Sequence, residues 1–442
     1  MNRKERTQET ARLLLNLLII GILSLFFIVV WYRYYRDTVY YYRRGNYLIT
    51  AIYAVLLIVF NSVYGGFQIG YAKTSDLIFS QSLSIAFTNF IIYMIGTLVN
   101  KKFLHLQGYW LFILAQIGIT IVLNILLNQI YYRVFPAKNT LLIYGEEDQS
   151  LYDRILAYQS NSYDITKKLQ FEEFKNNIEA LKDYECIIGV GLRPQEKEQL
   201  VHETYDASKR LYLVPDVYDV IVNGASSVYL VDTPVLRTHN FGPSQLDKIV
   251  KRIFDFVFSL VLLLVTSPIS LVTALAIWLY DRGPVFYRQT RLTQYGRPFE
   301  IIKFRSMRMD AEADGIARLA SENDTRITPV GKFIRACRID ELPQLLNILK
   351  GDMSVVGPRP ERPEIVEEVI KTIPEFNYRL KVKAGLTGYA QVYGKYNTRL
   401  KDKLLFDLYY IENFSLLLDL RILFMTFKIL FMKESTEGIS EK

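Results

Sequence analysis

Apolar and polar positions alternate on three different length scales along this chain, and each scale predicts a different kind of element. Residues 13–32 carry no charge and are bracketed by Arg12 and Arg33. About twenty such residues reach about 30 Å as a helix, the thickness of a bilayer core. Three further apolar runs follow at residues 47–63, 77–99 and 109–131, with tyrosines crowding their ends as in an interfacial aromatic belt. The first run is long for a secretory signal and lacks a clear small-residue cleavage site. Four spans place both ends of the bundle on one side. Arg3, Lys4, Arg6 and Arg12 favour a cytoplasmic N-terminus, but Arg33, Arg36, Arg43 and Arg44 then face outward, so the charge rule leaves the orientation open.

After Pro136 the period shortens. Residues 140–144, 186–190 and 211–214 read as short buried strands, separated by charged, helical-looking stretches such as 167–182. Strands alternating with helices predict a small parallel α/β unit. A glycine directly after the first strand, Gly145, hints at a dinucleotide fold. The G-x-G-x-x-G loop is absent, however, and Glu146, Glu147 and Asp148 stand where a pyrophosphate would sit. A structural or regulatory role is the better expectation. Phe241-Gly-Pro-Ser reads as a linker. Residues 256–280 are again uncharged, with Ser267-Pro268 midway and basic residues on both flanks (Lys251 and Arg252 before; Arg282, Arg288 and Arg291 after). The run predicts either a fifth spanning helix with a proline kink or a re-entrant hairpin bent at Ser267-Pro268. Late in the chain, residues 404–410 and 414–432 are apolar and amphipathic. Asp419, Arg421 and Lys428 interrupt the second, which suits a helix lying in an interface.

The densest chemistry lies at residues 338–364. Asp340 and Glu341 precede Leu342, Leu345, Leu346 and Leu349, one apolar helical face. Pro343 falls where a first helical turn tolerates proline, and Gly351 falls just past the end. The two carboxylates therefore lie near a helix N-terminus, where anions collect. Gly357-Pro358-Arg359-Pro360 then forms a stiff turn presenting a guanidinium. An acidic pair before a leucine helix is by itself as well explained by capping. Joined to a helix N-terminus and a rigidly held arginine, it points to phosphate chemistry.

Composition narrows the partners. Of the 442 residues, 50% are hydrophobic, and the net charge is +8. With long apolar runs present, that excess points to anionic headgroups and phosphorylated substrates. No nucleic-acid partner is expected, because zinc-finger spacing and RNA-binding signatures are absent. Cys186 and Cys337 imply no disulfide framework. The histidines are His105, His202 and His239, so chemistry in the C-terminal half uses no histidine base or ligand.

From about residue 248 to 432 the chain resembles the bacterial sugar transferase family. The residues that carry the resemblance are Lys251-Arg252-x-x-Asp255, Ser267-Pro268, Gly283-Pro-Val-Phe286, Lys303-Phe-Arg-Ser-Met307, Asp340-Glu-Leu-Pro-Gln344, Gly351-Asp-Met-Ser354, Gly357-Pro-Arg-Pro360 and Gly385-Leu-Thr-Gly388. Ala384 departs from the proline many members carry there. The added N-terminal spans match the family's long form, similar to undecaprenyl-phosphate hexose-1-phosphate transferases. The resemblance implies a membrane α-helical bundle (residues 1–135), a degenerate Rossmann-like α/β domain (136–240) and a mixed α/β, mostly helical monotopic catalytic domain (241–442) with a re-entrant membrane helix at 253–280.

It further implies transfer of a sugar 1-phosphate from a UDP-sugar, a hexose, to undecaprenyl phosphate, with release of UMP. This would be the first membrane step of exopolysaccharide, capsule or O-antigen assembly. Asp340 would be the nucleophile, forming an aspartyl-phosphosugar intermediate. Glu341 would join it in holding Mg²⁺, and Lys303, Arg305 and Arg359 would clamp phosphate. Ser267 and Pro268 would form the helix bend. The implied setting is the inner (plasma) membrane with the catalytic domain cytoplasmic, and a homodimer is one assembly left open. The alternatives are a non-catalytic membrane scaffold or a transporter of polysaccharide assembly. Against a transporter, the N-terminal spans hold almost no charge.

Overall fold

The computed structural model describes residues 3–39, 41, 44–145, 162–238, 243–309, 311, 324–394 and 398–430. Contacts divide the chain into two units, Met1–Val214 and Pro215–Lys442.

The first unit opens with four helices, α1 (Arg3–Val30, continued by a π turn Trp31–Tyr35), α2 (Gly45–Tyr64), α3 (Thr74–Asn100) and α4 (Tyr109–Val134). All four are long and apolar enough to cross a membrane, and they cover the four apolar runs. Aromatic rings fill much of the interior: Phe27 stacks on Tyr53 with ring centroids 4.0 Å apart. The interior also holds neutral polar side chains. Asn89 donates to Gln116 at 2.7 Å, Gln116 to the Tyr53 hydroxyl at 2.7 Å, and Asn124 to Gln81 at 2.7 Å. Such groups must find partners inside the bundle, because lipid offers none.

Beyond the bundle, β1 (Lys138–Tyr144), β2 (Tyr163–Gln170), β3 (Cys186–Val190) and β4 (Arg210–Leu213) form one parallel sheet in the order β2-β1-β3-β4. Among the described residues two helices accompany it, α5 (Phe171–Lys175) and α6 (Pro194–Asp206). Three strands sit where the short apolar runs placed them. The charged stretch 167–182 is not one helix. It divides into the end of β2, α5 and a 3₁₀ turn, Ile178–Asp183. β2 is an edge strand whose residues are mostly exposed or half-buried, so Lys167 and Lys168 stand in water and hide its pattern. The acidic run after Gly145 lies outside the described residues.

In the second unit, α7 (Val217–Asn223) is followed by an antiparallel hairpin, β5 (Ser226–Leu230) and β6 (Thr233–Arg237). Val217 and Val220 pack on the unit's core, and Lys401 pairs with Asp216 at 3.1 Å. The boundary expected near residue 240 lies downstream of these contacts, at a linker whose Phe241 and Gly242 are outside the described residues. Then come α8 (Gln245–Asp281), the antiparallel pair β7 (Phe286–Leu292) and β8 (Pro298–Phe304), α9 (Pro329–Ala336) and α10 (Gln344–Lys350). β9 (Ser354–Val356) pairs in parallel with β10 (Gly385–Thr387), and α11 (Pro363–Thr372), α12 (Tyr389–Tyr393), α13 (Leu400–Glu412) and α14 (Leu416–Ile429) complete the unit.

α8 runs without interruption through Pro268. Proline leaves the carbonyl four residues earlier without its helical donor. That carbonyl belongs to Leu264, and the Ser267 hydroxyl donates to it at 2.7 Å. The middle of α8 exposes Leu264, Val265, Ile269, Leu271 and Val272. Its N-terminal part is tied down: Asp255 accepts from the Val355 amide at 3.1 Å, and Arg252 donates to the Ile348 and Leu349 carbonyls at 2.6 and 2.8 Å. Its C-terminal part is tied down too, with Ile277 buried against Phe304 and Ile334.

α14 covers the second of the late apolar runs, and one of the charges that interrupt it is not at the surface. Asp419 is fully buried, where Lys251 meets it at 2.6 Å and the Tyr410 hydroxyl donates to it at 2.8 Å. Burial raises the Asp419 carboxyl above its ordinary value although Lys251 pulls the other way. The charge that broke the apolar pattern is therefore a core residue paired to α8.

Candidate active site

Three separate devices bring the central residues together. The first is Asn347 on α10. Its side-chain oxygen accepts from the Ile302 amide at 3.0 Å and its amide donates to the Glu300 carbonyl at 2.7 Å. This clips α10 to β8 through β8's own backbone groups and lays Lys303 alongside the start of α10. The second is Arg338, which follows α9 in the left-handed region at φ 54°. That conformation is uncommon for a residue with a side chain. It turns the chain out of α9 into the 3₁₀ turn Ile339–Glu341, which carries both acids.

The third is a junction of two glycine turns. The Gly357 amide donates to the Thr387 carbonyl at 2.8 Å and the Gly385 amide to the Pro358 carbonyl at 2.9 Å. A Cβ at Gly385 would lie 2.1 Å from the Gly357 nitrogen, and one at Gly388 2.1 Å from the Gly357 oxygen. Only glycine allows backbones this close. Arg379 reinforces the turn from behind. It donates to the Arg359 carbonyl at 3.0 Å while bonding Asp407 through its Nε at 2.9 Å, and both partners of this ion pair are buried.

These devices converge on Glu341. Lys303 Nζ lies 3.1 Å from Glu341 Oε1, Arg359 lies 3.3 Å from the same oxygen, and Arg338 lies 3.8 Å from Oε2. Burial would raise the Glu341 carboxyl, but Lys303, Arg359 and Arg338 outweigh it and hold the group well below the usual carboxylate range. Asp340 is treated differently. Its half-buried carboxylate takes no hydrogen bond or ion pair among the described residues. Burial, then the neighbouring Glu341 charge, push it up to about 6, against the pull of Lys303, Arg335 and Arg359. Two adjacent carboxylates thus acquire opposite characters: one locked as an anion by cations, one left free.

Of the residues singled out from sequence, Asp340, Glu341, Lys303 and Arg359 come together. Arg305 does not join them through any contact among the described residues; it is buried in an ion pair with Asp281, the last residue of α8. Ser267 and Pro268 lie mid-way along α8. Sequence reasoning passed over Arg338, whose spacing of three residues before Glu341 was a usable signal. It also passed over Gln391, which accepts from Arg359 at 3.3 Å, and Arg379. The last two had no local signal, because their partners are 32 and 20 residues away.

A divalent cation fits the donor set in part. Mg²⁺ is commonly held by one or two carboxylates plus water and phosphate oxygens. Asp340 offers a free carboxylate and Glu341 lies beside it. Among the described residues no group of three or more His, Cys, Asp or Glu side chains comes together, so an all-protein cage is not what this arrangement offers.

Comparison with known proteins places residues 246–433 in the bacterial sugar transferase family model. The chain is 38% identical over 242 residues to the UDP-glucose:undecaprenyl-phosphate glucose-1-phosphate transferase of Escherichia coli (strain K12), covering 52% of this chain and 50% of that protein. It is 44% identical to the UDP-N-acetylgalactosamine-undecaprenyl-phosphate N-acetylgalactosaminephosphotransferase of Aeromonas hydrophila, over 42% of this chain and 44% of that one. The exopolysaccharide production protein PSS of Rhizobium leguminosarum bv. phaseoli is 40% identical, and 94% of its length is covered. The chain spans about half the length of the first two relatives.

Proposed function

The chain belongs to the bacterial sugar transferase family, and on that premise we propose that it transfers a sugar 1-phosphate from a UDP-sugar to undecaprenyl phosphate. The observation that carries this reading is the pairing of a free carboxylate, Asp340, with a neighbour, Glu341, clamped by Lys303, Arg338 and Arg359. A carboxylate approaching a diphosphate meets electrostatic repulsion, which fixed cations offset. Asp340 attacks the phosphorus that bears the sugar. The bond to the bridging oxygen breaks, and UMP leaves with its electron pair. The aspartyl-phosphosugar then yields to an oxygen of undecaprenyl phosphate, which forms the diphosphate and frees Asp340. Arg359 and Lys303 steady the phosphate oxygens in both steps, and Arg305 anchors the C-terminal end of α8. Bound Mg²⁺, held by Asp340 and Glu341, would neutralise charge on the diphosphate and the leaving UMP.

We read α8 as re-entrant. A straight helix separates Arg252 from Ile277 by about 37 Å, whereas Leu342 to Leu349 covers only about 10 Å. Arg252 is bonded at Leu349, and Leu342 packs with the cluster around Ile277. Closing both ends onto so short a stretch favours a bend between them, where Pro268 lies. The lipid-facing middle then dips into the membrane and returns, leaving the site on the cytoplasmic face with its nucleotide sugar. The sheet order β2-β1-β3-β4 in the first unit, with its reversal beside β1, supports the degenerate Rossmann-like reading.

The test is incubation of purified membranes with radiolabelled UDP-hexoses and undecaprenyl phosphate. Label should enter the lipid phase with stoichiometric UMP. If no UDP-sugar releases UMP, the chain acts as a scaffold or transporter instead.

A further inference from the structure

We propose that a recess in the first unit binds a phosphate group at the membrane surface, independently of the site around Asp340. The recess lies where the start of α1, the loop before α3 and the end of α4 meet the first residues of β1 and β2. Gln8, Arg12, Tyr71, Tyr131, Lys138 and Ser162 are among its lining residues.

Four observations point to an anion. Gln8 is only 4% exposed and contributes a side-chain amide to the lining. A side-chain amide can donate to an oxyanion there. Arg12 is held in a fixed plane: its guanidinium lies 3.9 Å from the Tyr71 ring centroid, and its Nε donates to the Tyr131 hydroxyl at 3.0 Å. A guanidinium fixed by aromatic contact is pre-organised to receive an oxyanion. Lys138 is half-buried at the start of β1 and makes no ion pair among the described residues. Finally, no carboxylate is among the described residues that line the recess. Two cations and an amide donor, with no carboxylate among the described lining residues, are complementary to an anion.

Position narrows the anion to a phosphate ester. The recess sits at the end of helices long and apolar enough to span a bilayer, among tyrosines that mark headgroup depth. Phosphates are the dense anions at that level. The same chemistry could arrive on a lipid headgroup or on a soluble phosphate ester.

Full-length protein in mixed micelles, presented with phosphatidylglycerol, phosphatidylcholine or glycerol phosphate, separates these sources by native mass spectrometry. Wild type should retain phosphatidylglycerol over phosphatidylcholine, and Arg12→Gln/Lys138→Gln should lose that retention by tenfold or more. Gln8→Leu should weaken it severalfold. Retention of glycerol phosphate instead, lost in the same variants, assigns the recess to a soluble ester. Lys138→Gln alone changes a strand residue outside the bundle, so it decides the matter by the same criteria if the double variant does not fold. Wild type that retains neither ligand, or variants that retain them as wild type does, overturns the proposal.

Discussion

Asp340 and Glu341 are adjacent in sequence, yet their surroundings drive them apart. Asp340 is raised from 3.8 to about 6, first by burial and then by its neighbour. A nucleophilic carboxylate must be ionised, so transfer activity should rise with pH through about 6 and level off above it. A rate profile flat from pH 5 to 8 would reject Asp340 as the nucleophile. The same shift has a stability sign. The folded state binds the proton more tightly than the unfolded chain, so ionising Asp340 costs stability: nothing below about pH 4, the full amount above about 6. Asp340→Asn should therefore abolish transfer while stabilising the protein at pH 8 by about 1–2 kcal/mol, after discounting for partial exposure. The gain should vanish near pH 4, as read from thermal midpoints. The diphosphate's charge also predicts dependence on a divalent cation: EDTA should silence transfer and Mg²⁺ restore it, and undiminished turnover in EDTA would count against Mg²⁺ at this pair. Asp340, Glu341 and Arg359 stood out in sequence because their chemistry is local: acids before a helix, a guanidinium between prolines. Arg305 stood out equally and faces Asp281 instead. A basic residue's type is visible in sequence, but its partner is not.

At the scale of elements, periodicity located the four N-terminal helices, α8, α10 and three strands of the first unit's sheet. It failed where solvent or pairing masked the pattern. β2 was hidden by its exposed lysines, and the partner of Asp419 in α14 was hidden because Lys251, at 2.6 Å, lies 168 residues away in sequence. α8 carries the sharpest test. Hydropathy alone permits a spanning helix, which would place its two ends on opposite faces of the membrane. The ties of Arg252 and Ile277 to one body favour a return. Single cysteines at Lys248 and Thr290, both exposed, in a background lacking Cys186 and Cys337, should label from the same side in intact cells and in inverted vesicles. Labelling from opposite sides would restore the spanning helix and strand the carboxylates away from nucleotide sugar.

At the scale of the molecule, the carboxylates and their clamps all lie in Pro215–Lys442, which has its own buried core. A truncation beginning at Pro215 should keep transfer activity in detergent. One beginning at Ser244 removes α7, whose Val217 and Val220 pack on that core, and should be active but less stable, by a thermal midpoint several degrees lower. An inactive but folded Pro215 truncation would mean that the first unit contributes to the site. What the sequence determined by itself was everything set by neighbours along the chain: four apolar spans, three of the β strands, the acidic pair before its helix and the proline-stiffened arginine. Each follows from spacing, burial preference or a local backbone constraint. Only the tertiary structure decided which cations meet Glu341, why Gly357, Gly385 and Gly388 must be glycines, and that Asp419 is a core residue. Those facts depend on segments tens of residues apart arriving at one point, and no local pattern encodes that arrival.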